Sequence, residues 1–402
     1  MGAAEFIRRH DLDGSKIPGA ACVAALTEAM EQGLSGRGNI PMNPSYLSLN
    51  TIPRAGVPCC IMDAGGTNLR TAAACFDADG SCRITGLVKE PMLGLNRELS
   101  FEEFYGTLAS RVRATGQTGQ VGLCFSYNVE HQRDLDGILQ SWCKEVRVPQ
   151  AVGRPVGSSL RAALGSDCRR VHVVNDSTAA LLGAHHRYPE VTVGVILGTG
   201  INICYSEQIS RIPKVPRDLK ADSMIISTEI GEFRGIPKTV FDEAVITASD
   251  EPEMAHAEKQ CSGAYLGDLI SRAWNLAAAE GLLEDAFAGT VSLPVISDYL
   301  AGKPTSLPDC PAARVIAAAM VRRAAKIAAI LTAGVILLRH SSGQHCTFVI
   351  EGSQYEKLTG FGPAYETELA ALLQPAGVTF AIVQAENSCL TGAALSAFAD
   401  GM

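Results

Sequence analysis

Two apolar segments of the chain are each interrupted by a short polar stretch that is rich in glycine. The first segment is CCIMDAGGTNLRTAAACF, Cys59 to Phe76, and the second contains ILGTGIN, Ile196 to Asn202. Apolar runs broken by glycine and polar residues are typical of strands joined by a tight turn. We therefore predict two hairpins with polar tips. Because the tips at Asp63 and Gly198 lie 135 positions apart, they suggest two related halves that face a cleft.

The remaining sequence predicts helices mixed with strands. Helical spacing marks residues 18–36, 101–113, 156–164, 177–185, 364–373 and 392–398, and a mostly helical region spans 241–338. Further strands are predicted at residues 45–50, 120–129, 169–176, 346–353 and 378–385. This mixture predicts an α/β fold rather than an all-helical or all-β protein.

Composition excludes several classes of protein. Of the 402 residues, 47% are hydrophobic and 19% are charged, so the chain can form large cores. The net charge is −8 with no basic stripe, which makes nucleic acid a poor partner. The most apolar tract, Ile327 to Leu338, is shorter than the ~20 residues that span a bilayer, so we predict a buried helix and no membrane partner.

The 13 cysteines are scattered and contain no C-x-x-C pair. Such a set is typical of reduced core residues in a cytosolic protein. The first residues, MGAAEFIRRHDLDG, contain no apolar stretch of the secretory type. We therefore expect a cytoplasmic protein.

The tip of the first hairpin has the composition of a phosphate site. Gly65 and Gly66 allow backbone N–H groups to approach an anion, and Thr67 and Asn68 add donors. Arg70 supplies a positive fork, and the carboxylate of Asp63 suits a divalent cation that accompanies the phosphate. An ordinary Gly-Gly hairpin turn is an alternative explanation of the same residues.

Asn175-Asp176 stands between a predicted strand and a predicted helix. A carboxylate at the carboxyl end of a strand in an α/β sheet points into the ligand crevice. Taken in isolation, Asp176 is more simply explained as the N-cap of the helix. The Gly198-Thr199-Gly200 tip offers amides and a hydroxyl to phosphate, although a tight turn accounts for it as well. Four more polar residues stand in unusual sequence contexts, although each could be an ordinary surface residue: Ser126, Lys144, Glu229 and Glu258.

Taken in order, the segments resemble the motifs of the hexokinase family, in the sugar-kinase branch of the actin-like fold. The matching segments are LTEAMEQGLSGRGNIPMNPSYL, MDAGGTNLR, CFSYNVEHQRDLDGILQSWCKEV, VVNDSTAAL, ILGTGINICYSE, STEIGEF, EKQCSGAYLGDL and VIEGSQYEKLTGF. The resemblance implies a two-domain, ribonuclease-H-like α/β fold with a cleft. The small domain would comprise residues 55–180 and 388–402, and the large domain residues 1–54 and 181–387.

The resemblance also implies an activity and a set of roles. The protein would phosphorylate a hexose with ATP and Mg²⁺, with glucose and its 6-hydroxyl as the first expectation. Asp176 would be the general base, with Arg70 on the transferred phosphate. The hexose would be held by Ser126, Lys144, Asn175, Asn202, Glu229 and Glu258. ATP would be held by Asp63, Gly65, Gly66, Thr67, Asn68, Gly198, Thr199, Gly200, Gly352 and Ser353. Mg²⁺ would come with ATP and have no direct protein ligand, with Asp63 nearby.

Several positions depart from the family pattern. Cys143 replaces a threonine that touches the sugar, Ile230 replaces a tryptophan, and Leu390-Thr391 replace a Gly-Lys pair. These departures keep two alternatives open: a catalytically weak sugar sensor, and a kinase for mannose, fructose or glucosamine. A monomer and a homodimer are both compatible with the sequence.

Overall fold

The computed structural model describes residues 2–142, 146–284, 286–287, 289–340 and 342–402. The strands are β1 (Asn43–Pro44), β2 (Pro58–Ala64), β3 (Asn68–Phe76), β4 (Cys82–Pro91), β5 (Gln120–Phe125), β6 (Asn128–His131), β7 (Gly137–Ser141), β8 (Arg170–Val174), β9 (Val191–Leu197), β10 (Ile201–Gln208), β11 (Ser223–Ser227), β12 (His345–Glu351) and β13 (Thr379–Val383).

Helices alternate with these strands in the first half of the chain and predominate between β11 and β12. They are α1 (Ala3–His10), α2 (Gly19–Leu34), α3 (Phe101–Ala114), α4 (Val156–Leu164), α5 (Asp176–Arg187), α6 (Val240–Ala248), α7 (His256–Cys261), α8 (Gly263–Ala279), α9 (Leu293–Leu300), α10 (Pro311–Arg339), α11 (Ser353–Lys357), α12 (Phe361–Leu373) and α13 (Ser388–Ser396). Within the described part of the chain, no helix combines the length and the apolar character that crossing a membrane requires.

The strands form two mixed sheets and a small ribbon. One sheet has the order β4-β3-β2-β5-β8, in which β2, β5 and β8 run parallel. The other has the order β1-β11-β10-β9-β12-β13, in which β12 is parallel to both β9 and β13. The ribbon is β6-β7. Both predicted hairpins, β2-β3 and β9-β10, are present, and the α/β class is confirmed.

Two helices cross at close range between the sheets. α5 packs on β9 of one sheet, α13 packs on β2 and β5 of the other, and the two helices contact each other. A Cβ added at Gly392 would lie 1.9 Å from the carbonyl oxygen of Ala179, and one added at Gly183 would lie 2.1 Å from that of Ser388. Only glycine allows this approach, so the α5–α13 crossing depends on these two positions.

Some predicted elements were wrong or missed. Residues 45–50 form no strand, because Tyr46 adopts a φ of 55° that interrupts extended backbone. The two-residue β1 ends just before them, and Ser45 and Leu47 each form one backbone hydrogen bond with Ile225 of β11. The strand predicted at 120–129 is two strands, separated at Ser126-Tyr127. β4, β7 and β11 were not predicted. The tract Ile327–Leu338 is, as expected, buried helix: it forms the second half of α10, and its side chains are mostly buried.

Candidate functional site

The register of the five-stranded sheet brings three predicted site residues to one edge. Asp63 of β2 pairs with Cys124 of β5, and Cys124 pairs with Val174 of β8. Two residues further along each strand are Gly65, Ser126 and Asp176. Because neighbouring strands lie about 4.8 Å apart, the glycine tip and Asp176 face the same crevice across roughly 10 Å.

The other sheet presents a second edge of the same kind. Ile196 of β9 pairs with Glu351 of β12, so the Gly198 tip and Gly352 follow adjacent parallel strands. The Cys389 thiol contacts both edges: it lies 3.6 Å from the carbonyl oxygen of Asp176 and 3.0 Å from Oε2 of Glu351. The structure therefore brings the Asp176 edge and the second glycine tip together at the N-terminus of α13.

In the first tip, the carboxylate of Asp63 lies directly against Arg70. Oδ2 accepts hydrogen bonds from Nε of Arg70 at 2.7 Å and Nη2 at 2.5 Å, and Asp63 is buried. Although burial acts against the charged form, the charge of Asp63 raises the pKa of Arg70 above its ordinary value. Asp63 thus fixes the direction of the guanidinium. Thr67 is exposed at the end of the hairpin, and Gly65 and Gly66 are half-buried.

In the second tip, the backbone packs against the start of α8 and against Gly352. The carbonyl oxygens of Gly198 and Thr199 accept hydrogen bonds from the N–H groups of Gly263 and Ala264, at 2.9 and 3.0 Å, in the first turn of α8. Gly352 has a φ of 134°, and a Cβ there would lie 2.2 Å from the carbonyl oxygen of Leu197. Gly352, which is predicted to hold ATP, therefore packs directly on the predicted phosphate tip.

The start of α5 settles which residue caps the helix. Asn175 is the N-cap, since its Oδ1 accepts from the N–H of Ser177 at 2.9 Å. Asp176 is the first helical residue, and its Oδ1 also accepts from Ser177, at 2.8 Å. In the described residues Oδ2 of Asp176 accepts no hydrogen bond, and the residue is half-buried. The alternative that Asp176 is the cap is wrong, and one of its oxygens remains available.

Glu229 lies beside Asp176 in an unusual backbone conformation. Its φ of 55° is left-handed, which is uncommon for a non-glycine residue and is often found at functional sites. Its Oε1 accepts from Asn202 Nδ2 at 2.9 Å and from Ser227 Oγ at 2.8 Å. Burial raises the pKa of Glu229, and the charge of Asp176 raises it further.

The other predicted hexose residues are placed as follows. Glu258, in α7, accepts from the N–H of Ile201 at 3.0 Å, and a Cβ at Gly200 would lie 2.6 Å from its Oε2. Ser126 is buried, and its N–H donates to the carbonyl oxygen of Ala64 beside the first tip. Lys144, like Cys143, lies outside the described residues.

Sequence reasoning missed two residues of this region. Ser227 occupies the centre of the polar cluster around Glu229, and only its position two residues before Glu229 in STEIGEF could have indicated it. Glu351 accepts hydrogen bonds from the Ser388 hydroxyl and the N–H of Cys389 at the start of α13. Burial raises the pKa of Glu351, whereas Arg70 lowers it. No three acids, histidines or cysteines of the described chain are grouped to hold a metal ion.

The chain is similar to hexokinases along nearly its whole length. Two profiles described as hexokinase match residues 3–186 and residues 192–294 with 286–399. "Hexokinase-4, chloroplastic" of Oryza sativa subsp. japonica is 28% identical over 94% of this chain and 84% of its own length. "Hexokinase-1" of Saccharomyces cerevisiae is 26% identical over 92% of this chain and 86% of its own length. The solved hexokinase from Schistosoma mansoni complexed with glucose superposes with a TM-score of 0.86 at 22% identity, covering 98% of each chain.

Proposed function

Since this chain belongs to the hexokinase family and is a hexose kinase phosphotransferase, we propose that it transfers the γ-phosphoryl group of ATP to the 6-hydroxyl of glucose. The observation that carries the proposal is the shared edge of β2, β5 and β8, where the glycine tip, Ser126 and Asp176 follow three adjacent parallel strands. A hexose between Asp176 and the tip would have its hydroxyl next to both a base and a phosphate site.

Asp176 acts as the general base in this proposal. Its Oδ2, which has no hydrogen-bond donor in the described residues, takes the proton of the sugar hydroxyl as that oxygen attacks phosphorus. General-base catalysis of this kind contributes about 10²–10⁴-fold to the rate. Arg70 neutralises charge on the transferred phosphoryl group, and Asp63 keeps its guanidinium in place. Positioning and charge neutralisation are the main requirements of phosphoryl transfer.

Two of the groups proposed to hold the hexose, Asn175 and Glu229, keep hydrogen-bonding capacity that no described residue uses. The Oδ1 atom of Asn175 caps α5, and its Nδ2 group can donate a hydrogen bond to a sugar oxygen. Glu229 receives both protein hydrogen bonds on Oε1, which leaves Oε2 to accept from a sugar hydroxyl. Glu258, Ser126 and Lys144 complete the proposed sugar site, and Asn202 belongs to it through Glu229, whose carboxylate and N–H group it holds.

ATP lies on the second tip and extends towards Gly352 and Ser353. The Gly198-Thr199-Gly200 backbone and the hydroxyl of Thr67 contact its phosphates, together with Gly65, Gly66 and Asn68. Mg²⁺ bound together with ATP would neutralise charge on its phosphates. Asp63 is near but already engaged by Arg70, which fits a cation without a direct protein ligand.

Closure of the cleft protects the reaction from water, which competes with the sugar as nucleophile. We propose that the moving units are residues 55–180 with 388–402, and residues 1–54 with 181–387. All cysteines in the described residues are free thiols, which fits a reducing compartment such as the cytoplasm.

The test is a coupled assay of ADP release with glucose, mannose, fructose and glucosamine as acceptors. We expect sugar-dependent ADP release, fastest with glucose. Hexose binding without sugar-dependent ADP release would instead establish the sensor function. A faster rate with another member of the panel would correct the acceptor and retain the reaction.

A further inference from the structure

Four polar side chains from three segments meet around the hydroxyl of Ser227, which is 1% exposed at the end of β11. The Oγ atom lies 2.9 Å from Asn202 Nδ2, 2.8 Å from Glu229 Oε1, 3.4 Å from Asn175 Oδ1 and 3.4 Å from Ser177 Oγ. We propose that Ser227 is a positioning residue for hexose binding, which orients the Glu229 carboxylate so that a single oxygen faces the sugar. The inference rests on the proposed function.

The amide of Asn202 is fully used by protein partners. Its two Nδ2 hydrogens go to Ser227 Oγ and Glu229 Oε1, and its Oδ1 accepts from the N–H groups of Ile203 and Glu229, at 2.8 and 3.1 Å. An asparagine side chain has two donor hydrogens and one carbonyl oxygen with two lone pairs. Asn202 is therefore locked in one orientation, and it donates to Ser227 rather than accepting from it.

The orientation of Asn202 determines where the single proton of Ser227 points. Because Oγ accepts from Asn202, its own hydrogen is left for a carboxylate or carbonyl oxygen. Glu229 Oε1 at 2.8 Å is a normal acceptor distance, whereas Asn175 Oδ1 at 3.4 Å is long and already accepts two hydrogen bonds from Ser177. The Ser227 proton goes to Glu229, and Oε1 is then saturated by two donors.

The hydrogen bond from Ser227 also helps to hold the strained backbone conformation of Glu229. A left-handed non-glycine residue persists only where its surroundings hold it. The N–H of Glu229 is held by Asn202, and its carboxylate by Asn202 and Ser227. Loss of the hydroxyl leaves one Asn202 hydrogen without its acceptor and frees Glu229 Oε1 to turn, so that the binding geometry for the sugar is no longer fixed.

Titration gives an independent readout of this contact. Glu229 is faced by Asp176 at the start of α5, by Cys204 on β10 and by Glu232 in its own turn, and Glu258 on α7 packs on Gly231. Burial raises the pKa of Glu229, and the hydrogen bond from Ser227 opposes this rise. Removing the hydroxyl therefore raises the pKa further. Since hexose binding needs the ionised carboxylate, the acid limb of kcat/KM for hexose should shift to higher pH.

The experiment compares Ser227→Ala and the near-isosteric Ser227→Cys, whose thiol is a weak donor, with the wild-type enzyme. The matched control is Ser396→Ala, which removes an equally buried hydroxyl that donates to the carbonyl oxygen of Ala393 in α13. Hydrogen bonds to charged groups contribute enough that we expect the KM for hexose to rise roughly 10-fold or more in both Ser227 variants. We expect the KM for ATP to change less than about twofold. The substitution weakens hexose binding equally in the ground state and the transition state, and it removes no contact to ATP.

The outcomes separate the inference from the proposed function. A rise in hexose KM with an upward shift of the acid limb, absent in Ser396→Ala, supports the role of Ser227. Active Ser227 variants with unchanged hexose KM and pH profile overturn it and leave the proposed function intact. A wild-type enzyme that neither turns over nor binds any hexose, by calorimetry, overturns both. Equal increases in KM for hexose and for ATP would show a general structural defect and would also overturn it.

Discussion

Asp63 and Arg70 stand opposite each other on β2 and β3, and the carboxylate of Asp63 holds the guanidinium of Arg70. The sequence identified both residues as parts of a phosphate site. The sequence could not show that the carboxylate of Asp63 binds the guanidinium of Arg70. This contact depends on the cross-strand register, which the length of the turn sets. The same limit applies at α5, where either Asn175 or Asp176 could cap the helix until the backbone geometry was known.

Arg70→Ala should impair phosphoryl transfer far more than sugar binding. The variant removes the positive charge at the first tip but none of the groups proposed to contact the hexose, so kcat should fall by about 10²-fold or more while the hexose Kd stays near the wild-type value. Steady-state kinetics and calorimetry measure the two quantities. Arg83→Ala is the control, since Arg83 lies on the exposed strand β4 and forms an ion pair with Asp77. Equal losses in kcat and in hexose affinity would contradict a phosphate role for Arg70.

At the scale of whole elements, the sequence predicted long buried segments well and short or edge segments poorly. The apolar second half of α10 and both hairpins follow from hydrophobic pattern alone. β4 was missed because most of its residues are exposed, and Gly86, at a φ of 64°, interrupts the alternation within it. β11 has five residues, too few for a period of two to be distinguished from a buried turn.

The crossing of α5 and α13 should be intolerant of a single methyl group. In Gly392→Ala the new Cβ would meet the Ala179 carbonyl at 1.9 Å, so the helices must separate. Overpacking of this kind costs about 1–3 kcal/mol or more in the free energy of unfolding. Gly106→Ala, in α3 with no atom within 4 Å of the new Cβ, should be neutral or stabilising by ~0.5–1 kcal/mol. Chemical denaturation measures both. An unchanged Gly392→Ala protein would refute a tight crossing.

At the scale of the molecule, the two sheets each present the carboxyl ends of parallel strands to one region, and α5 and α13 connect them there. The two glycine tips, 135 residues apart, indicated two related halves from the sequence, and the family and fold were confirmed by the comparisons. The relation between the halves could not be derived from the sequence, because it depends on Gly183, Gly392 and contacts such as that between Glu351 and the N-terminus of α13.

The most direct measurement is hexose-dependent ADP release by Asp176→Ala, made beside calorimetric binding of the same hexose. With the proposed base removed and Asn175, Glu229 and Glu258 retained, we expect hexose affinity to persist and kcat to fall by at least about 10²-fold. Turnover close to the wild-type rate in a variant that binds hexose normally would show that Asp176 is not the base, and that the reacting hydroxyl lies elsewhere in the cleft.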